Sequence, residues 1–203
     1  MRPTDILMQE HRVIEQVLAC LEKMADRCAA GQDLDVPSAE QALDFFRTFA
    51  DRCHHGKEES ILFPLMESRG FSRDQGPTGV MLHEHEEGRR FVRAMADALS
   101  RSTLDAGAAR HAFIDPARAF VALLREHIHK EDHCLFPMAN QALTEPDQQQ
   151  LVDSFEKVEH EDLGPETHQR YVSLANELAE RFGVEPVAGP SECGHDCAHP
   201  ERG

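Results

Sequence analysis

The chain has 203 residues and a formal net charge of −16, with 40% hydrophobic and 29% charged residues. That length suits one domain with its own core, and so acidic a chain repels phosphate backbones, which argues against a nucleic-acid partner. No apolar run approaches the roughly 20 residues that cross a bilayer, and residues 1–10 lack the basic-then-apolar order of a secretory signal, so a cytoplasmic protein off the membrane is expected.

Six cysteines, Cys20, Cys28, Cys53, Cys134, Cys193 and Cys197, are not spaced as a disulfide framework. The compositional outlier is histidine, with 13. Strand signals are nearly absent, and the periodicity is helical. Leu7, His11, Ile14, Leu18 and Leu21 fall at steps of four and three along one face of a first helix. The stretch AAGQDLDVPS breaks it, with Gly31, Pro37 and Ser38 supplying turn and cap chemistry. A second helix is expected from about 39 to 66, turning Phe46, Ala50, His54, Glu58, Ile61 or Leu62, and Leu65 inward. After the loop SRGFSRDQGPTG, a third helix places Met81, His85, Gly88, Val92, Met95 and Leu99 on one face. Asp115-Pro116 reads either as a cap with a first-turn proline or as a kink in a helix begun near Asp105. Beyond it, Phe120, Leu124, His127, Glu131, Leu135 and Met138 form a fourth inward stripe. Two shorter helices follow, at about 146–161 and 166–182, and then a Pro-, Gly- and Cys-rich tail that is expected to be disordered.

The chain repeats itself. HHGKEESILFP, from His54, recurs as HIHKEDHCLFP, from His127, 73 residues later. His54 answers His127, Lys57 answers Lys130, Glu58 answers Glu131, and Leu-Phe-Pro answers Leu-Phe-Pro. Glu10-His11 likewise answers Glu84-His85. Each half is thus a helical hairpin that cannot bury its apolar face alone, and two of them make an all-α, four-helix up-and-down bundle. Residues 1–143 are expected to form that bundle, 144–183 a helical extension packed on it, and 184–203 the tail.

Residues four apart on a helix project about 40° from one another, so His54 with Glu58, and His127 with Glu131, point the same way. With His11 and His85 they place four imidazoles and two carboxylates on otherwise apolar stripes, where an unpaired carboxylate would tend to neutralise. Two cations, each taking two histidines and sharing two bridging carboxylates, would satisfy them. A donor set of imidazole and carboxylate without thiolate suits iron, with manganese and zinc as competitors.

On these motifs the chain resembles the haemerythrin-like, or HHE, domains over roughly Thr4 to Gln141. The resemblance implies a non-haem di-iron centre, two iron ions joined by an oxo or hydroxo bridge. It places His11 and His54 on one iron, His85 and His127 on the other, and Glu58 and Glu131 between them. The chain departs from the oxygen carriers of that family at one place. Their third helix carries two histidines four apart, whereas Met81 and Arg89 flank His85 at that spacing. His55 is the candidate for the missing fifth ligand, or else a partner of one.

Other clusters compete less well. His129 and His133 lie about 200° round the helix from His127 and are expected in solvent, as is His83. His55 with Glu59 offers another register, against which stands their alignment with Ile128 and Asp132. Cys193, His195, Cys197 and His199 could hold zinc, and Glu159 or His160 could lie against the bundle end. Two functions remain open: a module that binds or senses dioxygen, nitric oxide or iron, and an enzyme that decomposes peroxide, acts on nitric oxide or repairs damaged iron centres. Repair ranks lower, because the resembling repair proteins carry a short cysteine-bearing domain ahead of the bundle. A ferritin-like site would need paired Glu-x-x-His, which this chain does not offer.

Overall fold

The computed structural model describes residues 1–74, 76–159, 164 and 166–186, and among these there are six helices and no strand. They are α1 (Pro3–Ala29), α2 (36–68), α3 (Pro77–Ser100), α4 (106–142), α5 (Glu145–Lys157, with a wide last turn reaching 159) and α6 (Thr167–Phe182). Side-chain caps set several of the boundaries. Asp35, rather than Ser38, caps α2: its carboxylate accepts from Ser38 N at 3.2 Å and Ser38 Oγ at 2.7 Å, so the helix starts at Val36. Asp105 caps α4 by accepting from Ala108 N at 2.9 Å, which leaves Pro116 inside the helix. Thr144 and Asp147 form a capping box at α5, and Arg69 donates to both Asp147 oxygens at 2.7 Å, tying that cap to the end of α2. Among the described residues, no helix is long and apolar enough to cross a membrane.

Helices α1 to α4 make the bundle, and their apolar stripes meet in two clusters rather than one. The larger joins Leu18, Leu21, Phe46, Met95, Phe113 and Phe120, together with Tyr171, Leu178 and Phe182 of α6. The smaller, at the other side of the histidine-bearing turns, joins Leu7, Leu62, Phe63, Met81, Leu135 and Phe136, together with Leu151 and Phe155 of α5. The C-terminal helices therefore complete both cores. Cys20, Cys28 and Cys53 are buried free thiols and Cys134 is an exposed one.

Neither α2 nor α4 is regular throughout. Both widen to i→i+5 hydrogen bonding, over Phe46–His55 and Glu58–Leu62 in α2 and over Glu131–Leu135 in α4. At the last two, Phe63 N–H donates to Glu58 O and Phe136 N–H to Glu131 O. The next residues are Pro64 and Pro137, whose rings would strike the carbonyl four residues back in a regular helix. The extra residue bows the backbone away from that clash, so the Leu-Phe-Pro repeat creates a wide turn that begins at each glutamate.

The widening corrects two expectations drawn from a uniform period. Met138 is 40% exposed and Ala139 takes the core position, while Leu65 is only half-buried and Met66 is fully buried. Ile61 or Leu62 resolves in favour of Leu62. Met138→Ser should accordingly change unfolding free energy by less than about 0.5 kcal/mol, whereas Leu135→Ala should cost about 2–5 kcal/mol. Urea denaturation of both variants checks this, and equal costs would mean the wide turn in α4 is wrongly placed.

Candidate metal centre

Between the two apolar clusters lies a layer of buried polar groups. His11, His54, His85, His127, Glu58 and Glu131 are each at most 2% exposed, and His55 is 7% exposed. The six paired residues come from α1 to α4, so the bundle's own packing brings them together. Two groups of potential ligand atoms result: His11, His54, Glu58 and Glu131, and beside it His55, Glu58, His85 and His127.

Both glutamates span the two groups. Glu58 Oε1 lies 3.6 Å from His54 Nε2, and its Oε2 lies 3.5 Å from His85 Nε2. Glu131 Oε2 lies 3.2 Å from His11 Nε2 and 3.3 Å from His127 Nε2. These separations are somewhat wider than the spacing of about 3 Å between neighbouring ligand atoms around a cation with bonds of about 2.1 Å.

The far nitrogen of each paired histidine is held by a carboxylate. Asp132 is 2.7 Å from His11 Nδ1, Glu10 is 2.8 Å from His54 Nδ1, Glu59 is 2.7 Å from His85 Nδ1, and Glu84 is 3.0 Å from His127 Nδ1. An ionised carboxylate can only accept, so Nδ1 carries the proton in each ring and Nε2 presents its lone pair to the centre. The carboxylates are fixed in turn: Arg12 donates to Asp132, Lys57 to Glu10, Arg89 to Glu59 and Lys130 to Glu84.

This polarity provides a test of whether a cation fits. His85 Nε2 and His127 Nε2 face each other at 3.1 Å. With both Nδ1 atoms donating outward, two lone pairs meet there, and only a shared proton or a shared cation relieves the repulsion. His11 Nε2, His54 Nε2 and all four oxygens of Glu58 and Glu131 are buried without a hydrogen-bond partner. Native proteins leave only a few such groups unmatched, scattered through the fold, whereas here six converge on one layer. The donor set fits metal.

When no cation is present, protons take its place in the layer. Burial, and then the Glu131 carboxylate beside it, push the Glu58 carboxyl well above the usual range. Burial would raise Glu131 too, but the His127 and His11 rings hold it well below. Burial and the charge of His11 lower His54 to about 4. Burial also opposes the charge on His127, yet Glu131 and Glu84 raise it to about 9, so without a cation this ring carries the proton shared with His85.

The centre's two halves are unequally covered. On the His54 side, Lys57 is fully buried and donates to Glu10 at 2.5 Å and to Glu159 at the end of α5. Phe136 stacks on His11 with centroids 5.5 Å apart. On the other side, His55 stacks on His85 at 3.8 Å, and both line a cavity that reaches the surface. The His55 Nδ1 has only a loose contact, 3.5 Å to Asp51.

Several groups of the site are not singled out by the helical pattern alone. Glu59 and Asp132 were set aside as a competing register, and Glu10, Glu84, Lys57 and Lys130 were noted only as repeated letters. The repeat held the signal: it aligns acid with acid at 59 and 132 as well as at 10 and 84. His83, His129 and His133 are exposed, as expected, with the last two rings stacked at 4.2 Å. Glu159 does reach the bundle, through Lys57. His160, the cluster Cys193, His195, Cys197 and His199, and nearly all of the tail lie outside the described residues.

The family model Hemerythrin HHE cation binding domain matches residues 2–139. An uncharacterised protein of Mycobacterium tuberculosis is 25% identical over 186 residues, covering 88% of this chain and 69% of that protein. The iron-sulfur cluster repair protein YtfE of Musicola paradisiaca is 36% identical over 89 residues, 42% of this chain and 40% of the relative. Its counterpart in Edwardsiella ictaluri is 29% identical over 133 residues, 64% and 60% respectively. No solved structure matches the chain.

A carboxyl whose folded pKa is raised adds stability below its unfolded pKa and loses that contribution as pH climbs through the folded value. The raised Glu58 should therefore weaken metal-stripped protein at neutral and higher pH. Glu58→Gln keeps a donor toward Glu131 without the charge. Stripped of metal, it should exceed the parent in stability by about 1–3 kcal/mol at pH 8, with the gap shrinking toward pH 5. Urea titrations at the two pH values measure this, and a pH-independent gap would contradict the assignment.

Proposed function

The chain belongs to the Hemerythrin HHE cation-binding family, and from that premise we propose that it is a non-haem di-iron protein that binds a small ligand, dioxygen, nitric oxide or peroxide, at one half of its centre. The convergence of six buried, unpartnered nitrogen and oxygen atoms on one layer carries the reading, since a cation is what that donor set accommodates. His11 and His54 would hold one iron and His85 and His127 the other, with Glu58 and Glu131 shared and His55 in reach of the second. Imidazole and carboxylate without thiolate favour iron over softer-ligand metals. Iron there would supply one-electron redox chemistry and open coordination positions.

The protein's own groups do the rest. Asp132, Glu10, Glu59 and Glu84 fix each ring's tautomer and orientation. Lys57, Glu159 and Phe136 cover the His54 half, so a small ligand would approach from the cavity beside His55 and His85. His55 lacks the carboxylate clamp of the other rings, which suits a group that holds or passes a proton to an incoming ligand, or completes the second iron's ligands.

A second reading, donation of iron to damaged iron-sulfur centres, draws on the partial likeness to cluster repair proteins. The two part in one assay. Incubation with an iron-sulfur enzyme inactivated by peroxide restores its activity under the repair reading and leaves it inactive under the first.

Protein purified from iron-replete cells should carry close to two iron atoms per chain by elemental analysis. Glu58→Ala or Glu131→Ala should lose at least one of them. A single zinc and no iron would count against the proposal. Asp132→Asn and Glu59→Gln should retain the metals but lower affinity about 10- to 100-fold in chelator competition. Glu126→Gln, on the exposed face of α4, should leave it unchanged.

A further inference from the structure

The cavity that reaches His55 and His85 has more in it than a passage for a diatomic gas needs. Its volume is about 200 Å³, and it runs between α2, α3 and α4. Phe46, Ala50, Val92, Phe120 and Leu124 give it an apolar wall. Gly88 belongs to that wall as well, and the missing side chain matters: a Cβ there would already stand 3.4 Å from the Phe120 ring. Its buried end is histidine and its exposed end is arginine, Arg47 from α2 and Arg93 from α3.

Charge at the two ends differs in kind. The carboxylates and the third arginine along the cavity are committed to one another or to the histidine layer. Asp51 is bound by Arg89 at 2.7 Å, Arg89 also donates to Glu59 and Glu86, and Glu84 is held between Lys130 and His127. Arg47 and Arg93, by contrast, have no hydrogen bond or ion pair among the described residues. In a chain of net charge −16, two unneutralised guanidiniums at the mouth of an apolar cavity form a local anion trap. Guanidinium is also the side chain whose planar donor fork matches a carboxylate.

The dimensions narrow the ligand. From His85 to Arg93 is eight residues of regular helix, a rise of about 12 Å, which takes an extended eight-carbon chain once the van der Waals radii of its two ends are included. A small inorganic anion would give up its hydration against Phe46, Val92 and Phe120 and gain little from them. A neutral hydrocarbon would leave the arginines unused. We propose that this cavity is a binding site for a medium-chain monocarboxylate, its carboxylate held between Arg47 and Arg93 and its alkyl end directed at His55. The two arginines and the apolar wall lie outside the histidine layer, so the site can be tested with and without metal.

The experiment is calorimetric titration of the full chain, as purified and after chelation, with hexanoate, octanoate and octanamide, and with sodium nitrite as the inorganic anion. One octanoate should bind per chain in both preparations, about tenfold or more tighter than octanamide, with each methylene from six to eight carbons adding about threefold to fourfold. The exposed-residue variant Arg47→Gln/Arg93→Gln should weaken octanoate at least tenfold and leave octanamide unchanged. Gly88→Leu, which fills the cavity, should abolish both, with thermal unfolding and metal content showing that it is folded. The proposal is overturned if octanoate does not bind, if nitrite binds as tightly, or if the double arginine variant binds octanoate like the parent.

Discussion

Two imidazole nitrogens and two buried carboxylates converge in a layer where no protein group hydrogen-bonds them, beside two further imidazole nitrogens that face each other. Left alone, such a layer is a defect: like partial charges face one another and desolvated oxygens lack donors. The rest of the bundle is arranged around tolerating it. The apolar stripes divide into one cluster on each side of the layer, so both cores clamp the helices at the height where the polar groups meet. Outside the histidines stands a ring of carboxylates, and outside those a ring of Arg and Lys. Each shell orients the one within it, an order of support that metal sites commonly need.

Covering that layer is a task the two repeated hairpins share unequally. Lys57 and Lys130 hold matching glutamates, but only Lys57 is sealed, because α5 brings Glu159 and Phe155 across it. Burial works against the Lys57 ammonium, but Glu10, with help from Cys53 and Glu159, outweighs it and raises the Lys57 pKa, while Glu10 itself falls to about 2. The corresponding side of the second hairpin has no such cover among the described residues. Gly88 and the wide turn of α2 leave a cavity there instead, so the C-terminal helices turn a nearly symmetric repeat into a centre with a closed half and an open half.

How much of this could be read from the chain alone varied with the kind of interaction. The pairing of His54 with His127 and of Glu58 with Glu131 was legible because an internal repeat states each position twice. The inward stripes of α1 and α3 were legible because those helices are regular, and Leu7, His11, Leu18, Met81, His85 and Met95 are all buried. Met138 and Leu65 were misplaced because a period of 3.6 does not survive a turn widened to five. Glu59 and Asp132 were undervalued for a similar reason: rotation round an ideal helix puts them off the inward face, while the wide turns carry them under the histidines of neighbouring helices.

What the sequence by itself determined is therefore the helical class, the duplicated hairpin and the identity of the six convergent side chains, since these rest on spacing within single helices and on repetition. Only the tertiary structure decided which nitrogen of each histidine faces the centre, because that depends on a carboxylate delivered by a different helix, as far away in the chain as Asp132 is from His11. It also decided which half of the centre is open. Closure of one half depends on Glu159, which meets Lys57 only when α5 folds back along the bundle, and no local pattern at either residue encodes that meeting.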